Sequence, residues 1–357
     1  MDEMEVDHVI KVTLTNEILK KISEIDEKRF SLSTIEMPPV IKNRLRKNSK
    51  KKSSYASNKI EGNPLTEKQA NEAIDSDPHK HFLKPEQEVR NYFLALNFLE
   101  EKLKKKEAFS KEMILEVQAM VEKGASKEKI GLRGPMPSGM LFAVYDSETG
   151  AAEYIPPEYI DIPDLLDELV EYVNTTDDHP LIIAAVVHYQ LVTIHPFEDG
   201  NGRTARLMSG YILDYYGYGF NGIGSLEEYF AYDPDEYYAS LQMGLPALYY
   251  SGRENPPHPE IWINYFLRMM ELYSKKVYEL SKTSENDELD GSLSYLNAKE
   301  KEFLAFLLKK RLYEFTPIEV SKMLGVTNET IINRCAKLVN WNFIMPCYFS
   351  KFWCNEA

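Results

Sequence analysis

The chain has 357 residues, 43% of them hydrophobic and 27% charged, so it can bury real cores and is not a disordered polymer. Its length sets a prior of two or three domains of about 150 residues each. A formal net charge of −14 argues against general binding to nucleic acid or to an anionic membrane, while leaving room for a local basic surface.

In chain order, the start Met1-Asp2-Glu3-Met4-Glu5 is acidic and does not read as a signal peptide. Residues 15–30 and 40–61 read as helices. The second carries Lys42, Arg44, Arg46, Lys47, Lys50, Lys51 and Lys52, a basic run read as a solvated face. It ends in Ser57-Asn58-Lys59-Ile60-Glu61-Gly62-Asn63, where Gly62 suits the position after a helix C-terminus and Pro64 follows. Glu61 in that last turn opposes the helix dipole. A residue that breaks a local rule invites a distant partner; the plain alternative is a tolerated surface glutamate. Residues 86–106 are periodic, with Val89, Tyr92, Phe93, Leu96, Leu99 and Leu103 on one face. Ser110 is placed to cap a helix ending near Gly124.

Gly131-Leu132-Arg133-Gly134 then precedes two β-prone runs, residues 141–145 and 151–155, around a turn-rich centre. They read as a hairpin, which is marginal alone and must pack on the helices or bind something. Helices are expected over 162–174 and 180–192. In the latter, His188 stands seven residues before His195, two helical turns away, and is read as a structural histidine beneath the site.

The segment from His195 to Arg206, His-Pro-Phe-Glu-Asp-Gly-Asn-Gly-Arg-Thr-Ala-Arg, concentrates the chemistry. His195 titrates near neutrality and can take a proton from a hydroxyl. Asp199 is a hard oxygen ligand suited to Mg²⁺, which binds one or two carboxylates plus phosphate oxygens. Gly200 and Gly202 admit a ligand close to the main chain, and their N–H groups open a helix whose dipole favours an anion. Arg203 and Arg206 share a face of that helix, and arginine forks suit phosphate. Phe197 is expected to turn inward and fix the loop.

These residues match every fixed position of His-x-Phe-x-(Asp/Glu)-Gly-Asn-Gly-Arg-x-x-Arg, and here the chain resembles the Fic (Fic/DOC) family. The resemblance implies a mainly α fold: a Fic-type helical core with a small β-hairpin flap. It implies ATP and Mg²⁺ as ligands and AMP transfer to a protein hydroxyl. His195 would be the base, and Asp199 the metal ligand. Glu198, Gly200, Asn201 and Gly202 would line the phosphate cradle. Arg203 would take the β-phosphate and Arg206 the γ-phosphate. Ser57-x-x-x-Glu61-Gly62 resembles the family's inhibitory helix, which implies that Glu61 pairs with Arg206. The hairpin, about 141–156, would be the flap on which a target protein adds a strand, with Ala151 to Ile155 as its second strand. Tyr237 and Tyr238, in an aromatic run from Tyr229 that also suits a plain core, resemble a tyrosine pair flanking the nucleotide. The Asn that relatives often carry seven residues later, near the adenine, is Leu245 here.

Residues 259–280 read as a long closing helix, and polar residues 281–292 as a linker. Beyond it, residues 297–311 suggest a helix. Thr316 to Leu338 then reads helix, glycine turn, helix, with Val320, Met323 and Leu324 inside and Thr327 capping the second helix. Trp341 to Phe352 would supply a wing, so this part resembles a winged helix-turn-helix domain. Its candidate reading helix offers Asn328, Thr330, Asn333, Arg334 and Lys337. From residue 291 onward there are nine Lys and Arg against six Asp and Glu, too few to favour DNA over protein docking. Cys335, Cys347 and Cys354 suit neither a zinc cluster nor a disulfide framework, which points to a reducing compartment.

The expected organisation is residues 1–110 as an N-terminal helical region with the inhibitory helix (about 40–62), 111–280 as the Fic core with the active-site loop 195–206, the linker, and 293–357 as the winged unit. The expected protein is a soluble, cytoplasmic, self-inhibited protein adenylyltransferase. No apolar run reaches the roughly 18 residues of a membrane span, so no membrane contact is expected. A homodimer stays open, as do self-modification, another transferred nucleotide, AMP removal and phosphorylation. The alternative is a DNA- or protein-binding regulator that uses the winged unit and keeps the Fic core as a nucleotide sensor.

Overall fold

The structure, a computed structural model, describes residues 9–35, 37, 39–126, 129–140, 142–145, 150, 152–243, 256, 258–286, 297–310, 312, 314–340, 344–347 and 351–354. Several sequence expectations fall wholly or partly outside them: the N-terminal Met1 to Glu5, flap residues 141, 146–149 and 151, Leu245, linker residues 287–292, Arg311, and wing residues 341–343 and 348–350. The chain is mainly helical. Its contacts divide it into two units, Met1–Arg29 with Ser49–Lys276, and Phe30–Asn48 with Val277–Ala357.

The chain begins with α1 (Asn16–Ser33) and α2 (Pro39–Ile60). The lysines of α2 are not simply solvated. Lys50 pairs with Glu100, Lys51 with Asp75, and Lys52 with Glu228 at 3.0 Å. A short helix α3 (Glu67–Asp75) follows, opened by a Thr66–Gln69 capping box. Then come α4 (Lys84–Lys104) and α5 (Lys111–Glu122), the latter capped by Ser110, whose Oγ accepts from the Met113 amide at 3.2 Å. Strands β1 (Val144–Tyr145) and β2 (Ala152–Tyr154) form an antiparallel pair with Val144 opposite Tyr154.

Two helices carry the site. α7 (Pro180–Ile194) follows α6 (Ile162–Thr175), and α8 (Asn201–Tyr215) follows α7. Between Leu181 and Leu191 every α7 side chain is buried, His188 and Gln190 included, as a helix that is apolar on nearly every face requires. Polar bonds lock its neighbours onto it: the Ser209 hydroxyl donates to the Ala184 carbonyl and the Trp262 indole to the Ala185 carbonyl, each at 2.8 Å. α4, α5 and α6 pack around the α7–α8 pair. Short helices α9 (Glu227–Phe230) and α10 (Pro234–Gln242) come next, and then α11 (Pro259–Asn286). α11 continues six residues past the expected end at Leu280, because no glycine or proline interrupts the polar run Ser281 to Asn286.

The second unit contains α12 (Ala298–Lys309), β3 (Glu314–Phe315), α13 (Pro317–Leu324), α14 (Asn328–Asn340), β4 (Ile344–Cys347) and β5 (Lys351–Cys354). Its strands make an antiparallel sheet in the order β3-β5-β4. Phe303, Leu307, Phe315, Val320, Ile331, Cys335, Leu338 and Ile344 form its core, with Leu324 packed against it. Met323, expected inside, is instead 60% exposed.

Candidate functional site

Residues 195–200 join α7 to α8 in a loop braced from within. The Asn201 side chain closes it, accepting from the Phe197 amide at 3.0 Å and donating to the Phe197 carbonyl at 2.9 Å. Phe197 is fully buried and anchors the loop, and Leu132 pairs with it as an isolated β-bridge. Gly200 caps the start of α8 with φ 81°, and a Cβ there would also stand 2.8 Å from the Glu122 Oε1, so glycine is required twice over.

His195 follows the last turn of α7 in the left-handed region, φ 48° and ψ 57°, which is uncommon for a residue with a side chain. Its Nδ1 lies 3.2 Å from the Val192 carbonyl. A carbonyl only accepts, so Nδ1 carries the proton and the Nε2 lone pair is left to serve as a base. Desolvation of the ring pushes His195 down to about 4, outweighing the Val192 bond, with Arg133 lowering it further and Glu61 and Asp199 pulling it up. The imidazole is therefore neutral at pH 7.

The α8 N-terminus presents two buried arginines. Arg203 donates from Nη2 to Glu122 Oε1 at 2.8 Å and to Asp199 Oδ1 at 3.3 Å, while its Nε and Nη1 are buried without a hydrogen-bond partner. Asp199 also accepts from the Gly200 amide at 2.8 Å and faces the Lys129 Nζ at 3.5 Å. Glu122 is fully buried, and desolvation raises it to about 7 although Arg203 pulls the other way.

Arg206 is held by α2. Its Nε donates to Ser57 Oγ at 2.8 Å, and its Nη2 donates to the Ser57 carbonyl at 3.1 Å and to Glu61 Oε1 at 2.6 Å. Burial works against the guanidinium charge, but the Glu61 carboxylate together with Tyr237, Tyr92 and Tyr238 outweighs it and holds Arg206 above its ordinary range. The same Glu61 oxygen would clash with a Cβ on residue 202, so it lies directly against Gly202 at the start of α8. Behind Arg206, its Nη1 approaches the Tyr237 hydroxyl at 3.4 Å, and that hydroxyl lies 2.8 Å from His188 Nε2. Burial keeps His188 well below its ordinary range, hence neutral.

The structure thus brings His195, Asp199, Gly200, Asn201, Gly202, Arg203, Arg206, Glu61 and Ser57 together. Glu198 points to solvent. Tyr237 is 1% exposed and backs Arg206, whereas Tyr238 is 47% exposed beside it, ring centroids 5.0 Å apart. Two residues escaped the sequence reading. Glu122 shares the buried face of α5 with Ile114 and Gln118, so its helical spacing marked it as a charge on an apolar stripe. Arg133 was visible between glycines, but nothing local showed its partners.

The Fic/DOC family matches residues 108–213. The chain carries a Fic/DOC domain. Proteins described as protein adenylyltransferase Fic are similar to it: one from Nematostella vectensis is 30% identical over 207 residues, 56% of this chain and 45% of that protein. Another, from Drosophila mojavensis, is 29% identical over 211 residues, 56% of this chain and 38% of that protein. The chain therefore spans less than half the length of these curated relatives. Among solved structures, Fic-1 from C. elegans is 25% identical with a TM-score of 0.58, covering 75% of this chain and 73% of that one. A Fic family protein from Desulfovibrio desulfuricans G20, 19% identical, shares the fold over 98% of both chains with a TM-score of 0.59.

Among the described residues, no helix is long and apolar enough to cross a membrane, and no group of three His, Cys, Asp or Glu is placed to hold a metal.

Proposed function

We propose that this Fic domain is a self-inhibited protein adenylyltransferase. One observation carries the reading: a carboxylate, Glu61, already sits as an anion at the α8 N-terminus, on Gly202 and Arg206. A site that holds one anion on a helix dipole, an arginine fork and a glycine cradle suits the phosphates of ATP. The curated relatives named protein adenylyltransferase supply the reaction class.

In this reading a target Ser, Thr or Tyr hydroxyl loses its proton to His195 Nε2 as its oxygen attacks the α-phosphorus. A new P–O bond forms to the target, the bond to the β-phosphate oxygen breaks, and pyrophosphate leaves. The Arg203 N–H groups that make no hydrogen bond, Nε and the Nη1 that faces Glu88 at 4.0 Å, suit phosphate oxygens, and Arg206 takes an outer phosphate once Glu61 withdraws. A partly exposed Asp199 carboxylate, with phosphate oxygens completing the shell, fits Mg²⁺. When bound, the ion would neutralise phosphate charge; the chain's own work is to orient the phosphates, keep Nε2 free and hold the proton there. Tyr238 is the accessible member of the expected tyrosine pair, and in this reading it would flank the nucleotide.

We read the second unit, with its order α12-β3-α13-α14-β4-β5 and its three-stranded sheet, as winged-helix-like and assign it to protein docking. Of the two basic residues on its candidate reading helix, Lys337 is paired with Glu300 at 2.8 Å, and the Arg334 guanidinium lies 5.8 Å from the Phe303 ring. Each contacts a residue of the same unit, and two basic residues are few for the several phosphate contacts that DNA affinity needs.

The test incubates wild type, Glu61→Gly and Glu61→Gly/His195→Ala with α-labelled ATP, Mg²⁺ and cell lysate. AMP mass added to the protein or a labelled lysate band, with Glu61→Gly alone, supports the reading. No label from any nucleoside triphosphate would sink it and favour the regulator.

A further inference from the structure

The base helix ends against the flap. The last four carbonyls of a helix lack intrahelical partners and need caps from elsewhere. At the end of α7 (C-cap His195) the flap segment from Arg133 to Tyr154 caps two of them, on Thr193 and His195, and pairs with the Pro196 carbonyl just beyond the helix. The Tyr154 hydroxyl donates to the Thr193 carbonyl at 2.6 Å. The Arg133 Nε donates to the His195 carbonyl at 2.8 Å, and the Arg133 amide to the Pro196 carbonyl at 2.9 Å. From the same guanidinium, Nη2 donates to the Pro157 carbonyl on the far side of the hairpin. The guanidinium also lies 4.7 Å from the centroid of the Phe142 ring, and that ring packs 5.9 Å from the His195 imidazole. Arg133 is itself 5% exposed.

One buried side chain therefore ties both arms of the hairpin to the backbone of the base. His195 adopts a left-handed conformation that costs free energy for a residue with a Cβ, and such a conformation persists only where its surroundings over-determine it. The Arg133 bond to the carbonyl of that same residue is part of what determines it. Gln118 fixes the approach from below: its side chain donates to the Lys129 and Asp199 carbonyls at 2.7 and 3.2 Å and accepts from the Gly131 amide at 3.0 Å.

We propose that Arg133 and Tyr154 are positioning residues that make the flap segment the cap of the base helix, so that seating a target chain on the flap and setting His195 are one coupled step. The proposal rests on the adenylyltransferase reading for its catalytic consequence, and on this geometry alone for its structural one. Neither side chain touches the phosphate site, so their loss should spare ATP binding and slow transfer. A misplacement of about 1 Å costs on the order of 100-fold in rate.

In the Glu61→Gly protein, Arg133→Lys is expected to lower kcat by about 10- to 100-fold with the KM for ATP unchanged, because the point charge of a lysine does not reproduce the rigid planar fork that reaches the His195 and Pro157 carbonyls in two directions. Tyr154→Phe should lower it less, and free guanidinium should partly restore the rate of Arg133→Ala. Melting curves confirm that each variant is folded. Independently of any activity, amide hydrogen exchange over residues 190–200 should quicken in both Arg133→Lys and Tyr154→Phe. Unchanged exchange in both, or a kinetic loss confined to the KM for ATP, overturns the proposal. A Glu61→Gly parent that transfers nothing counts against the adenylyltransferase reading, and the exchange measurement still decides this one.

Discussion

The Glu61 carboxylate stands 2.6 Å from the Arg206 guanidinium across 145 residues of chain, and it does so at the start of α8, where the helix dipole favours an anion. Removing it has two consequences of opposite sign. Arg206 keeps its Ser57 bonds but loses its counter-charge. Breaking a fully buried pair costs about 3–5 kcal/mol, and the Glu61 side chain is 30% exposed. Glu61→Gly should therefore lower stability by about 1–2 kcal/mol without nucleotide. ATP should then stabilise the variant more than wild type, because the vacated site accepts a phosphate. Thermal melting with and without ATP checks both halves; equal ATP shifts in the two proteins would separate Glu61 from the nucleotide site.

The pH dependence of transfer reports on His195. Desolvation holds it near 4, so its neutral, base-competent form is already complete at pH 6. Glu61 pulls that value up, so Glu61→Gly moves it lower still. The kcat/KM of the Glu61→Gly protein, which reports the free enzyme, should run flat from about pH 5.5 to about pH 8. An acid limb near 6.5, the ordinary histidine value, would mean that the ring is solvated in the working protein.

What the sequence reveals and what it hides differ by mechanism. The loop 195–206 is legible because its function needs particular residue types at fixed short spacing. The long helices are legible because their burial repeats every 3.6 residues. α3 is not, since only Ala70 and Ala73 on it are buried and small residues leave a faint stripe; its Thr66–Gln69 capping box was the available sign. The lysines of α2 look solvated in sequence because Glu100, Asp75 and Glu228 are distant in the chain. Asn201 reads as a phosphate ligand from its motif, and only the fold shows its side chain turned back onto Phe197.

Glu122 gives the fold a pH dependence. Its carboxyl is raised from the ordinary 4.5 to about 7, so the folded state binds its proton more tightly than the unfolded chain does. That contribution is complete below about pH 4.5 and is lost as pH rises through 7, amounting to about 3 kcal/mol if the whole shift is realised. Glu122→Gln cannot ionise. Wild type should therefore lose melting temperature between pH 5 and pH 8 relative to Glu122→Gln. Parallel pH curves for the two proteins would show that Arg203 neutralises Glu122 fully in the native state.

Asn201 separates two kinds of role. Its amide satisfies both the N–H and the carbonyl of Phe197 inside the loop. Each buried backbone group left unpaired costs about 1–3 kcal/mol, so Asn201→Ala should lose about 2–4 kcal/mol of stability, with some of that recovered if water enters. Asn201→Asp keeps an acceptor for the Phe197 amide but loses the donor, and it adds a second carboxylate two residues from Asp199. It should melt between wild type and Asn201→Ala. A residue that acted only on the phosphates would behave otherwise: the KM for ATP would rise while melting stayed put. Measuring both on the Glu61→Gly background distinguishes the brace from the ligand. The brace predicts that kcat falls with stability, because a loop free to open no longer holds His195 and Arg203 on the same phosphate.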